Sequence, residues 1–181
     1  GQKGVLKTVK FIYLRSRFMK SIAEIYSELS VPKRIVVIMH QKPDPDAMGS
    51  ALGLYHFLTE MGHSVTVVSP TNWAGFLDWM PGCDKVLDYE NYKQRDKAEK
   101  ALADAEWLFC LDFNTVSRTR NLAPIIGKLT CVKILIDHHQ QPEVESFTYG
   151  VSDVSKSSTS EMVYDFIMES GNDAVINISM A

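Results

Sequence analysis

Cysteine is scarce in this chain, and the few that occur lie far apart. Cys83, Cys110 and Cys131 are the only three, an odd number without CxxC spacing, so neither a disulfide framework nor a thiolate zinc site is expected. Cys110 and Cys131 sit in or beside apolar runs and read as small buried hydrophobes. Long hydrophobic runs are missing too: no stretch reaches the roughly 18 apolar residues of a membrane-spanning helix. No basic and apolar leader with a small-residue cleavage site is visible, and the expected compartment is the cytoplasm. An excess of positive charge is also absent. With 19 Lys and Arg against 22 Asp and Glu the net charge is -3, so the chain carries no global basic field. Any contact with nucleic acid has to come from a local site. Internal repeats and low-complexity linkers are not found.

What remains is an ordinary globular composition, 45% hydrophobic and 23% charged over 181 residues, enough for one domain with a sizeable core. Residues 1–30 read as an N-terminal amphipathic helix. Within residues 3–29, Val5, Val9, Ile12, Leu14, Phe18, Ile22, Ile25 and Leu29 recur every three to four positions, and Pro32 stops the pattern. Its first two thirds are basic, with Lys3, Lys7, Lys10, Arg15, Arg17 and Lys20. The face opposite the apolar stripe is expected to be solvated, and the stripe suits packing against a second copy, as in a homodimer.

From residue 31 to 181 strands and helices alternate. Strands are expected at 35–39, 65–68, 85–87, 107–111, 132–136 and 147–151. Helices are expected at 47–61, 91–105, 119–128 (interrupted around Pro124) and 158–170, the last with Ser157 or Ser158 as cap and Glu161 at capping-box spacing. The alternation implies an α/β fold, a parallel sheet with helices on both faces. Residues 173–181 read as a helix cut in mid-pattern, so the chain is expected to continue.

Three of these strands end in acid or imidazole. The first runs into His40, followed by Asp44 and Asp46; the fourth ends at Asp112; the fifth, Val132–Ile136, ends at Asp137, His138 and His139. A polar turn closing one strand is commonplace. In a parallel sheet, however, all strand C-termini share one edge, so these residues converge on one cleft. Carboxylates that close repel one another and call for divalent cations. Mixed oxygen and nitrogen donors suit manganese, with magnesium, cobalt and zinc behind it. Pro43 and Pro45 stiffen the loop on either side of Asp44. The small residues opening the next helix, among them Gly49 and Ser50, leave room for an anion at its N-terminus or for close packing.

These motifs resemble the DHH phosphoesterases. That family's first motif is His-x-x-Pro-Asp-x-Asp-Ala-x-Gly-Ser, which His40-Gln-Lys-Pro-Asp44-Pro-Asp46-Ala-Met-Gly-Ser50 matches at every defined position. Asp112, with Arg118 shortly after, matches the second, and Asp137-His138-His139 the third. The run from Ser157 to Glu161, after Asp153, is similar to the short-chain branch of nanoRNases and pAp phosphatases. The resemblance implies a site for two manganese ions, with magnesium or cobalt as substitutes. His40, Asp44 and Asp112 would hold one ion. Asp46, Asp112 and His138 would hold the other, with Asp112 bridging. It further implies that Asp137 orients His138, that His139 faces the substrate phosphate, and that Gly49, Ser50 and Arg118 contact the substrate. The implied activity is hydrolysis of short oligoribonucleotides or pAp, with polyphosphate, pyrophosphate or cyclic dinucleotides as other substrates of the family. A noncatalytic nucleotide-binding module is the reading from a different class. The family's fourth motif and C-terminal substrate domain have no match before Ala181. Asp153 is the residue nearest in chemistry to the missing ligand.

Overall fold

A computed structural model describes residues 19–140 and 142–175. Seven strands, β1 (Lys20–Ser21), β2 (Arg34–Met39), β3 (Ser64–Ser69), β4 (Leu87–Asp88), β5 (Trp107–Leu111), β6 (Val132–Asp137) and β7 (Tyr149–Ser152), form one sheet. Its order is β1-β7-β6-β5-β2-β3-β4, and every pairing is parallel. Among the described residues, α1 (Pro45–Glu60), α2 (Tyr92–Asp104) and α3 (Ala123–Lys128) lie between strands, and α4 (Thr159–Glu169) follows β7.

The strands are apolar at nearly every position because both faces are covered. Ile35, Val37, Met39, Phe109 and Ile134 pack with Ala51 and Phe57 of α1 and Phe166 of α4. The alternate residues Val36, Ile38, Leu108, Cys110 and Leu135 pack with Ala98 and Leu102 of α2 and Ile126 of α3. The period of two along each strand therefore serves two cores at once.

The chain leaves β2 toward β3 and β4, then returns to lay β5 on the other side of β2 and continues to β6 and β7. Connections diverge between β2 and β5, which opens a crevice at their C-terminal ends. Register makes the crevice level. Met39 pairs with Leu111 and Leu111 with Ile136, so the next residues, His40, Asp112 and Asp137, emerge side by side at one edge.

Four expectations are corrected. The described part of the N-terminal helix is not one helix. Lys20–Ser21 is a strand paired with β7, and Ile22–Glu28 is a 3-10 helix capped by Ser21; residues 3–18 of that helix lie outside the described residues. Ile22, Ile25 and Leu29 are buried as expected, but a spacing of three to four does not separate an α-helix from a 3-10 helix, whose side chains align every three. The third strand lies at Leu87–Asp88, after a 3-10 turn at Cys83–Lys85. The break in the helix near Pro124 falls at Arg120, where φ is 49°. Pro124 itself sits in the first turn of α3, where its missing N–H has no partner to lose. The last strand begins at Tyr149 rather than 147, and residues 176–181 of the cut helix lie outside the described residues. Among those described, no helix is long and apolar enough to cross a membrane.

Candidate active site

The loop after β2 is fixed from both sides. The Gln41 N–H donates to the Arg118 carbonyl at 3.0 Å, tying it to the 3-10 helix that follows β5. The Lys42 N–H donates to the Thr71 hydroxyl at 2.6 Å, tying it to the loop after β3. Asp44 then caps α1, its carboxylate accepting the Ala47 N–H at 2.8 Å, with Pro45 in the first turn. A rigid turn with a helix built onto it holds His40 and Asp44 before any ligand arrives.

Asp112 is the centre of the cluster. It is a non-glycine residue with φ of 62°, a left-handed conformation that Asp tolerates better than most residues but that still costs on the order of 1–2 kcal/mol. Its N–H is held by the Ile136 carbonyl at 3.1 Å. One carboxylate oxygen, Oδ2, lies 3.2 Å from His40 Nε2; the other, Oδ1, lies 3.4 Å from His138 Nε2 and accepts the Thr159 hydroxyl at 2.8 Å. Burial alone would raise the Asp112 pKa, but the hydrogen bonds from His40 and Thr159 and the nearby imidazoles hold it below the ordinary value.

The histidines show what the cluster calls for. His40 Nδ1 lies 2.6 Å from the Gln41 carbonyl, which can only accept, so Nδ1 carries the proton. The Nε2 lone pair then faces Asp112 Oδ2, and two acceptors at that distance require a proton or a cation between them. Burial disfavours charge on this ring, yet the bonds to Asp112 and the Gln41 carbonyl and the charges of Asp112 and Asp44 hold the His40 pKa above its ordinary value. His139 repeats the pattern. Its Nδ1 donates to Asp137 Oδ1 at 2.6 Å and its backbone N–H to Asp137 Oδ2 at 3.1 Å, which leaves Nε2 as the acceptor. Buried carboxylates that fix an imidazole in this way are the usual partners of metal-binding or proton-transferring histidines.

Two sets of donor atoms each lie within 4.8 Å of one another: His40, Asp44 and Asp112, and Asp112, His138 and His139. Asp112 belongs to both. Nitrogen and oxygen donors in this mixture fit a hard or borderline divalent cation, so the residues present suit the metal that the motifs imply.

Several expected residues stand elsewhere. Asp137 orients His139, not His138, because its whole carboxylate is engaged two residues along. Asp46 is not in either donor set. Its two oxygens accept the Thr159 and Ser160 N–H groups at 3.0 Å each, capping α4 across the crevice. Ser50 is buried, and its hydroxyl donates to the Ala47 carbonyl within α1. Gly49 faces α4, where a Cβ would make ordinary van der Waals contact with Ser160 Oγ at 3.7 Å. Arg118 contributes its carbonyl to the His40 loop. Asp153 is held in its own turn, accepting from the N–H and hydroxyl of Ser155 at 2.9 and 2.6 Å, apart from both donor sets. Thr159 is the residue that the sequence did not single out.

The chain is similar to several known proteins. Residues 34–181 match the model of the DHH family, N-terminal domain. The chain is 33% identical over 150 residues to the bifunctional oligoribonuclease and PAP phosphatase NrnA of Thermus thermophilus, covering 82% of this chain and 40% of that one. It is 27% identical over 154 residues to the probable bifunctional oligoribonuclease and PAP phosphatase NrnA of Streptococcus mutans, covering 83% and 44%. Among solved structures, an exopolyphosphatase-related protein from Bacteroides fragilis superposes with a TM-score of 0.80 at 36% identity, over 85% of this chain and 45% of that one. The chain thus spans less than half the length of the curated relatives it matches.

Proposed function

Because the chain belongs to the DHH family, we propose that it is the catalytic part of a manganese-dependent phosphoesterase that hydrolyses short oligoribonucleotides and pAp. The observation that carries this reading is the carboxylate of Asp112, shared between two donor sets at the mouth of the sheet. His40, Asp44 and Asp112 are assigned to one ion. Asp112 and His138 would hold the other, with His139 in the same donor set. Two divalent ions so held would supply a deprotonated water near neutral pH and would offset charge on a phosphoryl group, with magnesium or cobalt as substitutes for manganese.

The chain's own residues perform the rest. Asp137 fixes the His139 ring through Nδ1, which leaves Nε2 to accept and return a proton or to meet a phosphate oxygen. The His40 loop, fastened by Thr71 and Arg118, holds His40 and Asp44 in place for the metal. The likeness to the two NrnA proteins supports the substrate assignment. The likeness to an exopolyphosphatase-related protein makes inorganic polyphosphate the second substrate to assay. This reading places the protein in the cytoplasm. The test is release of phosphate from pAp and of mononucleotides from di- to pentanucleotides, with and without manganese. Hydrolysis that depends on the metal supports the reading, and manganese uptake without hydrolysis of any of these substrates, by a chain extended to the length of its relatives, overturns the substrate assignment.

A further inference from the structure

Thr159 opens α4 and is completely buried, and both of its polar groups are turned to the site. Its hydroxyl donates to Asp112 Oδ1 at 2.8 Å, and its N–H donates to Asp46 Oδ2 at 3.0 Å. The neighbouring hydroxyl does a different job: Ser158 is the N-cap, and its oxygen accepts the Glu161 N–H. Capping α4 therefore does not need the Thr159 hydroxyl. Nor does α4 offer that hydroxyl a carbonyl of its own, since the first residue of a helix has no preceding turn to bond.

The terminal torsion of an aspartate is soft, with broad rather than sharply staggered preferences. Asp112 is fixed at its backbone by the bond to Ile136 and by its left-handed φ, but these do not set the rotation of its carboxylate. The Thr159 hydroxyl does. With Oδ1 held on the α4 side, Oδ2 is left toward His40 and Oδ1 toward His138, which is the orientation a bridging carboxylate needs. The β-branched side chain is stiff at χ1, so the hydroxyl is itself held in place.

We propose that Thr159 is a positioning residue: through its hydroxyl it sets the Asp112 carboxylate across both donor sets, and through its N–H it holds Asp46 beside them. This rests on the metal-site reading above and extends it to α4, which contributes no donor to either set.

Two variants test it. Thr159→Val keeps the shape and removes the hydroxyl, and Thr159→Ser keeps the hydroxyl. In manganese titration by calorimetry, Thr159→Val should bind at least about 10-fold more weakly than the parent, the range found for partners that orient metal ligands, while Thr159→Ser should bind nearly as the parent does. In the metal-free chain, nitrogen NMR of the imidazoles should show the His40 and His138 Nε2 resonances displaced by Thr159→Val and restored by Thr159→Ser. Equal manganese affinity in parent and Thr159→Val, or equal losses in both variants, would overturn the proposal, since the second pattern reports helix packing rather than the hydroxyl. If the parent takes up no manganese, the metal reading fails on its own. The resonances then decide Thr159, displacement by valine alone supporting its role and unmoved signals overturning it.

Discussion

Two histidines lie buried at opposite edges of the same sheet, and their surroundings make them different groups. His63, just before β3, accepts the Lys33 N–H on Nδ1 at 3.0 Å and gives its Nε2 proton to the Leu29 carbonyl at 2.8 Å. Both ring nitrogens are satisfied in the neutral form. Burial, aided by the Lys33 charge and opposed by the Leu29 bond, holds its pKa below 6.5. His40, just after β2, has one carbonyl and two carboxylates around it, and its pKa lies above 6.5. Burial is alike, 5% and 8% exposed. What separates a structural histidine from a candidate ligand is the number of anionic acceptors its free nitrogen meets.

The largest effect should come from the acid shared by both donor sets. Asp112→Ala is expected to weaken manganese binding by more than about 100-fold, beyond the loss typical of partners that only orient a ligand; calorimetry showing full stoichiometry would mean that the carboxylate is not shared. Next is His139→Ala, which should lower turnover by about 100-fold or more, the scale of a lost proton-transfer group, while both ions still bind. Joint loss of binding and turnover would make His139 a ligand.

Away from the site, Gly150→Ala in β7 should destabilise the fold by about 1–3 kcal/mol through overpacking, read by urea denaturation. Its Cβ would sit 2.8 Å from the Leu135 carbonyl oxygen, and an unchanged midpoint would mean that β7 can move away from β6. The smallest effect belongs to His63. Because its folded pKa is depressed, the unfolded chain binds more protons as the pH falls below 6.5, so its contribution to stability is complete above that value and is lost as pH falls toward the folded pKa. Denaturation across about pH 5 to 7.5 should show a shallower acid decline in His63→Gln than in the parent. An identical slope would remove the contrast between the two edges.

The sequence carried the parallel α/β architecture and the identity of the residues at its C-terminal edge. Apolar runs such as Ile35–Met39 that stop at a titratable residue are local signals, and right-handed crossovers bring such strand ends together. Less legible was who touches whom. Asp137 serves His139 rather than His138 because a two-residue turn lets one carboxylate reach both the backbone and the ring, and nothing in the triplet's spelling distinguishes the two rings. Asp46 and Thr159 are 113 positions apart, and their meeting depends on how α4 lies against α1. The left-handed backbone at Asp112 is hidden too, since aspartate is common in ordinary conformations. The N-terminal stripe misled for a plainer reason: Ile22, Ile25 and Leu29 serve a 3-10 helix as well as an α-helix.

Manganese titration of the unmodified chain, followed by addition of pAp, tests the account most directly. Two ions per chain and metal-dependent release of phosphate are the predicted result. A chain that binds no manganese, or that hydrolyses pAp equally well in the presence of a chelator, would contradict it.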